Sequence, residues 1–124
     1  MRVKDAQSGD SIKIRFAETL TKDGRLYREN LRHALTTDCY VADGTEKGKW
    51  WNPTFVYHGF RYAEITGLKS PKKEDFIGEM VSDEMEKTGT FACSDTILNK
   101  VYHNAEWGIL ANYKGMPVDC PQRD

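Results

Sequence analysis

The sequence closes on Asp119-Cys120-Pro121-Gln122-Arg123-Asp124, two carboxylates and a guanidinium within six residues. Arginine presents a planar fork of donors and each aspartate two oxygens with paired lone pairs. Asp119, Arg123 and Asp124 therefore have the chemistry to hold the vicinal hydroxyls of a carbohydrate. Composition by itself favours a plainer reading, an Asp–Arg ion pair that only orders a loop, and the surrounding sequence has to decide between the two. Cys120 has the chemistry of a nucleophile, yet no histidine can be tied to it by sequence. Cys39, Cys93 and Cys120 are odd in number and form no Cys-x-x-Cys pair. This predicts free, mostly buried thiols and neither a disulfide framework nor a zinc site.

The elements that must position this loop are read from hydrophobic period. Ile12, Ile14 and Phe16 alternate with Lys13 and Arg15, the pattern of a half-buried strand over residues 12–18. Thr21-Lys22-Asp23-Gly24 supplies a turn and Leu26 and Tyr27 a return, so a hairpin is predicted there. Residues 31–41 read as extended. Residues 54–67 are rich in aromatic and β-branched types and predict a central strand, or two joined at Gly59, where glycine marks a bulge or a close backbone approach. Residues 70–75 read as a solvated charge cluster and 76–82 as one further short strand. The period then changes: Ser94 as N-cap, Asp95 in the first turn, and Ile97, Leu98, Val101, Tyr102, Ala105 and Ile109 at helical spacing predict an amphipathic helix over about residues 94–113. Gly115 and Pro117 end it and lead into the terminal loop. The expected class is mainly β, a partial antiparallel β-sandwich followed by one amphipathic helix with an uncovered apolar face.

Lys+Arg 18 against Asp+Glu 19 gives a formal charge of −1 with no basic stripe, which argues against nucleic acid as a partner. No apolar run approaches the ~20 residues of a membrane span, and the first residues are not a signal-peptide core, so the chain reads as soluble, with no membrane partner and cytoplasmic by default. No cofactor and no metal set is indicated. Trp50, Trp51, Tyr57, Phe60 and Tyr62 offer a sugar-stacking platform, although aromatic residues also fill any sandwich core. His58 lacks ligand partners at useful spacing and reads as a satisfied core or edge histidine. Glu64 reads as an outward strand residue or a partner of Arg61.

Three stretches taken together carry a resemblance: Trp51-Asn52-Pro53-Thr54-Phe55-Val56-Tyr57-His58-Gly59-Phe60-Arg61-Tyr62, then Gly89-Thr90-Phe91-Ala92-Cys93-Ser94-Asp95 with Leu98-Asn99, then the terminal hexapeptide. In this order and spacing they resemble bacterial α-L-rhamnosidases of glycoside hydrolase family 78. The resemblance implies a β-sandwich domain placed before an (α/α)6 barrel, and hydrolysis of terminal α-L-rhamnosides with inversion. Residues 1–85 would be the later part of the sandwich. Residues 86–124 would be the linker, the first helix and the start of the active-site loop. It also implies that Asp119, Arg123 and Asp124 line the rhamnose subsite, and that a glutamate directly after Asp124 is the general acid, with the base far downstream. No catalytic residue is then expected in this chain. An inverting glycosidase needs two carboxyl groups roughly 6.5–9.5 Å apart, so a fragment inactive by itself is expected. The alternative is a non-catalytic β-sandwich that binds carbohydrate or assembles with a partner. Self-association through Ile97, Val101, Tyr102 and Ile109 is a further expectation.

Overall fold

The computed structural model describes residues 1–122. They form nine short strands, β1 (Arg2–Lys4), β2 (Ser11–Ala17), β3 (Thr19–Leu20), β4 (Leu26–Tyr27), β5 (Thr37–Val41), β6 (Lys47–Trp50), β7 (Tyr62–Thr66), β8 (Tyr113–Lys114) and β9 (Met116–Pro117), and one helix, α1 (Thr96–Asn112). The β-rich part is built on β2, the middle strand of an antiparallel sheet ordered β5-β2-β7. Its alternation is realised in the burial pattern: Ile12, Ile14 and Phe16 are buried while Lys13 and Arg15 are exposed. These three join Met1 and Val3 in the core, against which Tyr40, Trp51, Ile65 and Phe76 pack. Full burial of one such side chain is worth about 1.5–3 kcal/mol, so β2 is the principal anchor of the fold. Opposite Arg15 on β7 stands Glu64, an outward strand residue as one of the two readings had it, and its ion pair at 3.5 Å is with Arg15 and not with Arg61.

Two smaller antiparallel pairs flank this sheet, β1 with β6 and the predicted hairpin β3 with β4. The class is therefore as expected, antiparallel sheets followed by a helix. The β1–β6 pair is closed by charge. Lys4 pairs with Asp75, which lies in a 3-10 turn (Lys73–Asp75) and is buried, so the 70–75 cluster is not wholly solvated. The Lys4 ammonium holds the Asp75 carboxyl below its ordinary range. Glu46 is likewise buried. It accepts from the Tyr40 hydroxyl at 2.5 Å and from the backbone N–H groups of Asp43 and Gly44 at 2.9 and 3.0 Å. That bond pushes the Tyr40 phenol up to about 12 and holds Glu46 low.

Several predicted strands are shorter than their composition suggests. Only Tyr62–Thr66 of residues 54–67 is strand, because the chain after Pro53 turns through Phe55 at φ 61°, the left-handed region, before reaching the sheet. Of residues 31–41 only Thr37–Val41 pairs, after a 3-10 turn (Glu29–Leu31) and positive φ at Arg32 and Thr36. Residues 76–82 form no strand. The chain leaves the sheets there and runs irregularly alongside α1. Asp83 N–H donates to the Tyr113 carbonyl at 2.8 Å, and the Asp83 carboxylate accepts from Gly115 N–H at 2.7 Å. Lys87 pairs with Glu106 at 2.5 Å, and Phe91 lies 5.4 Å from the Tyr102 ring.

The helix begins two residues later than predicted. Asp95, not Ser94, is the N-cap, and its Oδ1 accepts from the N–H groups of Ile97 and Leu98 at 2.8 and 3.3 Å. Asn99 fastens the preceding residues by accepting from Cys93 N–H and donating to the Cys93 carbonyl. None of α1 is buried, and Ile97, Val101 and Ile109 of the expected apolar face are exposed, while Tyr102 is partly covered by Phe91 and Lys87. No described helix is long and apolar enough to cross a membrane.

Candidate functional site

The terminal loop is aimed by the end of α1. Gly115, at φ 78°, makes the tight turn between β8 and β9, and Val118 N–H then donates to the Asn112 carbonyl at 2.8 Å. The loop thereby doubles back on its helix before crossing to the β-sheets. There the Pro121 carbonyl accepts from Gly59 N–H at 2.7 Å. A second tie lies upstream, with Lys114 Nζ 4.3 Å from the centre of the Tyr57 ring. A cleft of about 150 Å³ remains at this junction, lined by Leu35, Thr36, Tyr57, His58, Pro121 and Gln122 among others.

His58 supports the wall of this cleft. Its Nε2 donates to Asp38 Oδ1 at 2.9 Å, and its ring stacks on Phe16 with centroids 4.4 Å apart. It is thus the satisfied histidine that its spacing implied, bound to β5 and resting on β2. Asp38 Oδ2 is buried without a hydrogen-bond partner among the described residues, so Nε2 supplies the described hydrogen bond to this carboxylate.

Of the residues expected to hold a sugar, Asp119 is exposed at the start of the loop, while Arg123 and Asp124 lie outside the described residues. Cys120 is half-buried and Cys39 and Cys93 are exposed. All three thiols are free as expected, but none is buried, because Cys39 falls on the outward register of β5 and Cys93 precedes an uncovered helix. Among the described residues no three metal-ligating side chains converge. The aromatic residues proposed as a platform each engage a different neighbour: Trp51 lies on Tyr40 at 5.2 Å, Phe60 on Phe16 at 4.7 Å, Tyr62 beneath Arg61 and Tyr57 beneath Lys114. Trp50 is half-exposed on β6.

Sequence reasoning passed over the supports of the loop. Gly59 was legible as a close backbone approach but not as an approach to the terminal hexapeptide. The Asp38–His58 pair left no trace, since its members stand twenty residues apart.

The sheets and the helix fall in stretches of the chain that match two known domains in succession. Residues 1–82 match the bacterial alpha-L-rhamnosidase concanavalin-like domain, and residues 86–124 the bacterial alpha-L-rhamnosidase 6 hairpin glycosidase domain. The class of protein so defined is the glycosidases. The chain belongs to the bacterial α-L-rhamnosidase family. It is 42% identical over 121 residues to an α-L-rhamnosidase of Formosa agariphila, covering 94% of this chain and 13% of that protein. To one of Streptomyces avermitilis it is 36% identical over 118 residues, covering 94% and 11%. Among solved structures, the α-L-rhamnosidase of Dictyoglumus thermophilum superposes with a TM-score of 0.88 at 43% identity, covering 100% of this chain and 14% of that one. The Streptomyces avermitilis α-L-rhamnosidase complexed with L-rhamnose superposes with a TM-score of 0.83 at 34% identity, covering 99% and 12%. The chain spans between 11% and 14% of the length of these relatives.

Proposed function

We propose that this chain is the junction segment of an α-L-rhamnosidase that releases terminal α-L-rhamnose from rhamnosides with inversion. Residues 1–85 are its sandwich part, and residues 86–124 open the catalytic barrel. Asp119, Arg123 and Asp124 hold ring hydroxyls of the rhamnose by charge-assisted hydrogen bonds. They position the sugar and perform no chemistry. The observation that carries this reading is the return of the loop onto the sheets through Gly59 and Pro121, which fixes a polar loop at a cleft where a small ligand can be held. Inversion requires an acid and a base on opposite sides of the glycosidic bond. Asp119 is exposed at the start of the loop and is assigned to holding the sugar, so no acid–base pair is assigned within these residues. The chain by itself is therefore inactive. Its helix face Ile97, Val101, Tyr102 and Ile109 belongs against further helices, and in their absence covers itself with a second copy.

Calorimetric titration with L-rhamnose, paired with a rate assay on an aryl α-L-rhamnoside, tests both halves. Binding that Asp119→Ala abolishes, with no turnover, is expected. A rate comparable with that of a full-length α-L-rhamnosidase would overturn the inactivity. Binding abolished by Trp50→Ala or Trp51→Ala but indifferent to Asp119→Ala would favour a non-catalytic carbohydrate-binding sandwich. The half-exposed Trp50 is the feature that keeps this second reading in view.

A further inference from the structure

We propose that Gly59 is a positioning residue for the sugar-holding loop, which makes the β-sheet part of the chain a working component of the rhamnose site. The proposal rests on the reading of loop 119–124 as sugar-holding. Gly59 meets the loop in two ways. Its N–H donates to the Pro121 carbonyl at 2.7 Å. Its missing side chain is where the loop backbone sits, since a Cβ there would lie 2.9 Å from Gln122 N, 3.0 Å from the Pro121 carbonyl carbon and 3.2 Å from Gln122 Cα. These are backbone atoms, which cannot swing aside as a side chain can.

Gly59 is itself held from behind. His58, the preceding residue, is bonded to Asp38 on β5 and stacked on Phe16 of β2. Arg61, two residues on, donates its N–H to the Ala17 carbonyl at 3.0 Å. The contact therefore reaches from the most buried strand of the fold to a loop whose Asp119 stands two residues before Pro121. Restoring ordinary contact around an added methyl moves the loop by about half an ångström or more, which is comparable with the tolerance of a hydrogen-bonded ligand site. Any residue other than glycine at position 59 thus displaces the loop without touching the sugar.

The loop carries its own reporter, because Cys120 is half-buried whereas Cys39 and Cys93 are exposed and serve as internal standards. In the chain as it stands, Gly59→Ala is expected to raise the alkylation rate of Cys120 by about tenfold, as local opening of the loop does, while Cys39 and Cys93 keep their rates. Gly78→Ala, where an added Cβ meets nothing within 4 Å, is expected to change none of the three. L-rhamnose affinity should fall in Gly59→Ala although Asp119, Arg123 and Asp124 are intact. An unchanged Cys120 rate, or a faster Cys120 with unchanged rhamnose affinity, would overturn the proposal. If Gly59→Ala fails to fold, amide exchange decides: Gly59 N–H should be protected in the full chain and lose protection in a chain ending at Val118. Equal exchange in both would overturn it. Absence of rhamnose binding by the unaltered chain would refute the sugar-holding reading alone, with thiol reactivity and amide exchange still deciding whether Gly59 positions the loop.

Discussion

His58→Ala should be the most damaging single change near the candidate site, and its magnitude can be worked from the contacts. The imidazole makes the described hydrogen bond of a carboxylate that is 8% exposed, and its ring is stacked on buried Phe16. Leaving a buried polar group without its partner costs about 1–3 kcal/mol. Losing a stacked ring contact adds about 0.5–1.5 kcal/mol. The expected destabilisation is about 2–4 kcal/mol, equivalent to a fall in Tm of roughly 10 °C for a chain of this size. Urea denaturation of the four members of a double-mutant cycle, with His58→Ala and Asp38→Ala singly and together, separates the two parts. Because the two side chains are bonded to each other, the second substitution should cost much less once the first is made, with a coupling of about 1–2 kcal/mol. Additivity within ~0.5 kcal/mol would refute the reasoning, since it would mean that the imidazole stabilises through Phe16 alone.

Three further outcomes are expected. The Glu46 carboxyl is held below its ordinary value of 4.5, chiefly by the Tyr40 hydroxyl, so the stability it contributes is complete above that pH and lost as pH falls through the lowered value. The Tyr40 phenol is raised to about 12, so its contribution is complete below pH 10 and lost towards 12. Tyr40→Phe should weaken both dependences, read as midpoint against pH in urea melts. Asp95→Ala removes the N-cap of α1 and should cost about 1 kcal/mol of helix stability, visible as faster amide exchange of Ile97 and Leu98. The chain should self-associate at high concentration in sedimentation equilibrium, and Val101→Glu should leave it monomeric; a wild-type chain that stays monomeric while α1 is protected from exchange would contradict the covered-face argument.

What the sequence disclosed depended on whether a signal was local. β2 could be read residue by residue, because one strand carries its own two-residue period and one face of it fills the core. The helix was legible for the same reason, with its start misplaced by the choice between two adjacent cap residues, Ser94 and Asp95. β1 and β6 were missed because Arg-Val-Lys and Lys-Gly-Lys-Trp show one or two apolar residues among charges. Only their mutual pairing, across more than forty residues, makes Val3 a core residue. Residues 54–61 misled in the other direction: their aromatic content came from packing around a junction, where Phe60 meets Phe16 and Tyr57 meets Lys114, and not from a pleated strand. The site divides likewise. The hexapeptide's donors and acceptors could be read from residue types, although composition alone favoured an Asp–Arg ion pair over a sugar site. Its contact with Gly59, next to the His58–Asp38 pair, could not, since contacts between distant segments have no sequence period.

The bond between Gly59 and Pro121 bears on how such enzymes can be recombined. The segment at residues 83–93 is strapped along α1 and lies between the two matched domains, where one rhamnosidase's front half could be spliced to another's 6 hairpin domain. A chimera joined there would inherit its loop from one parent and the glycine that seats it from the other. Unless the two parents agree at position 59 and in the 121–122 backbone, the hybrid would fold both halves and still misplace the loop. Grafting should therefore move residues 56–61 together with the loop, treating two stretches far apart in sequence as a single exchangeable part.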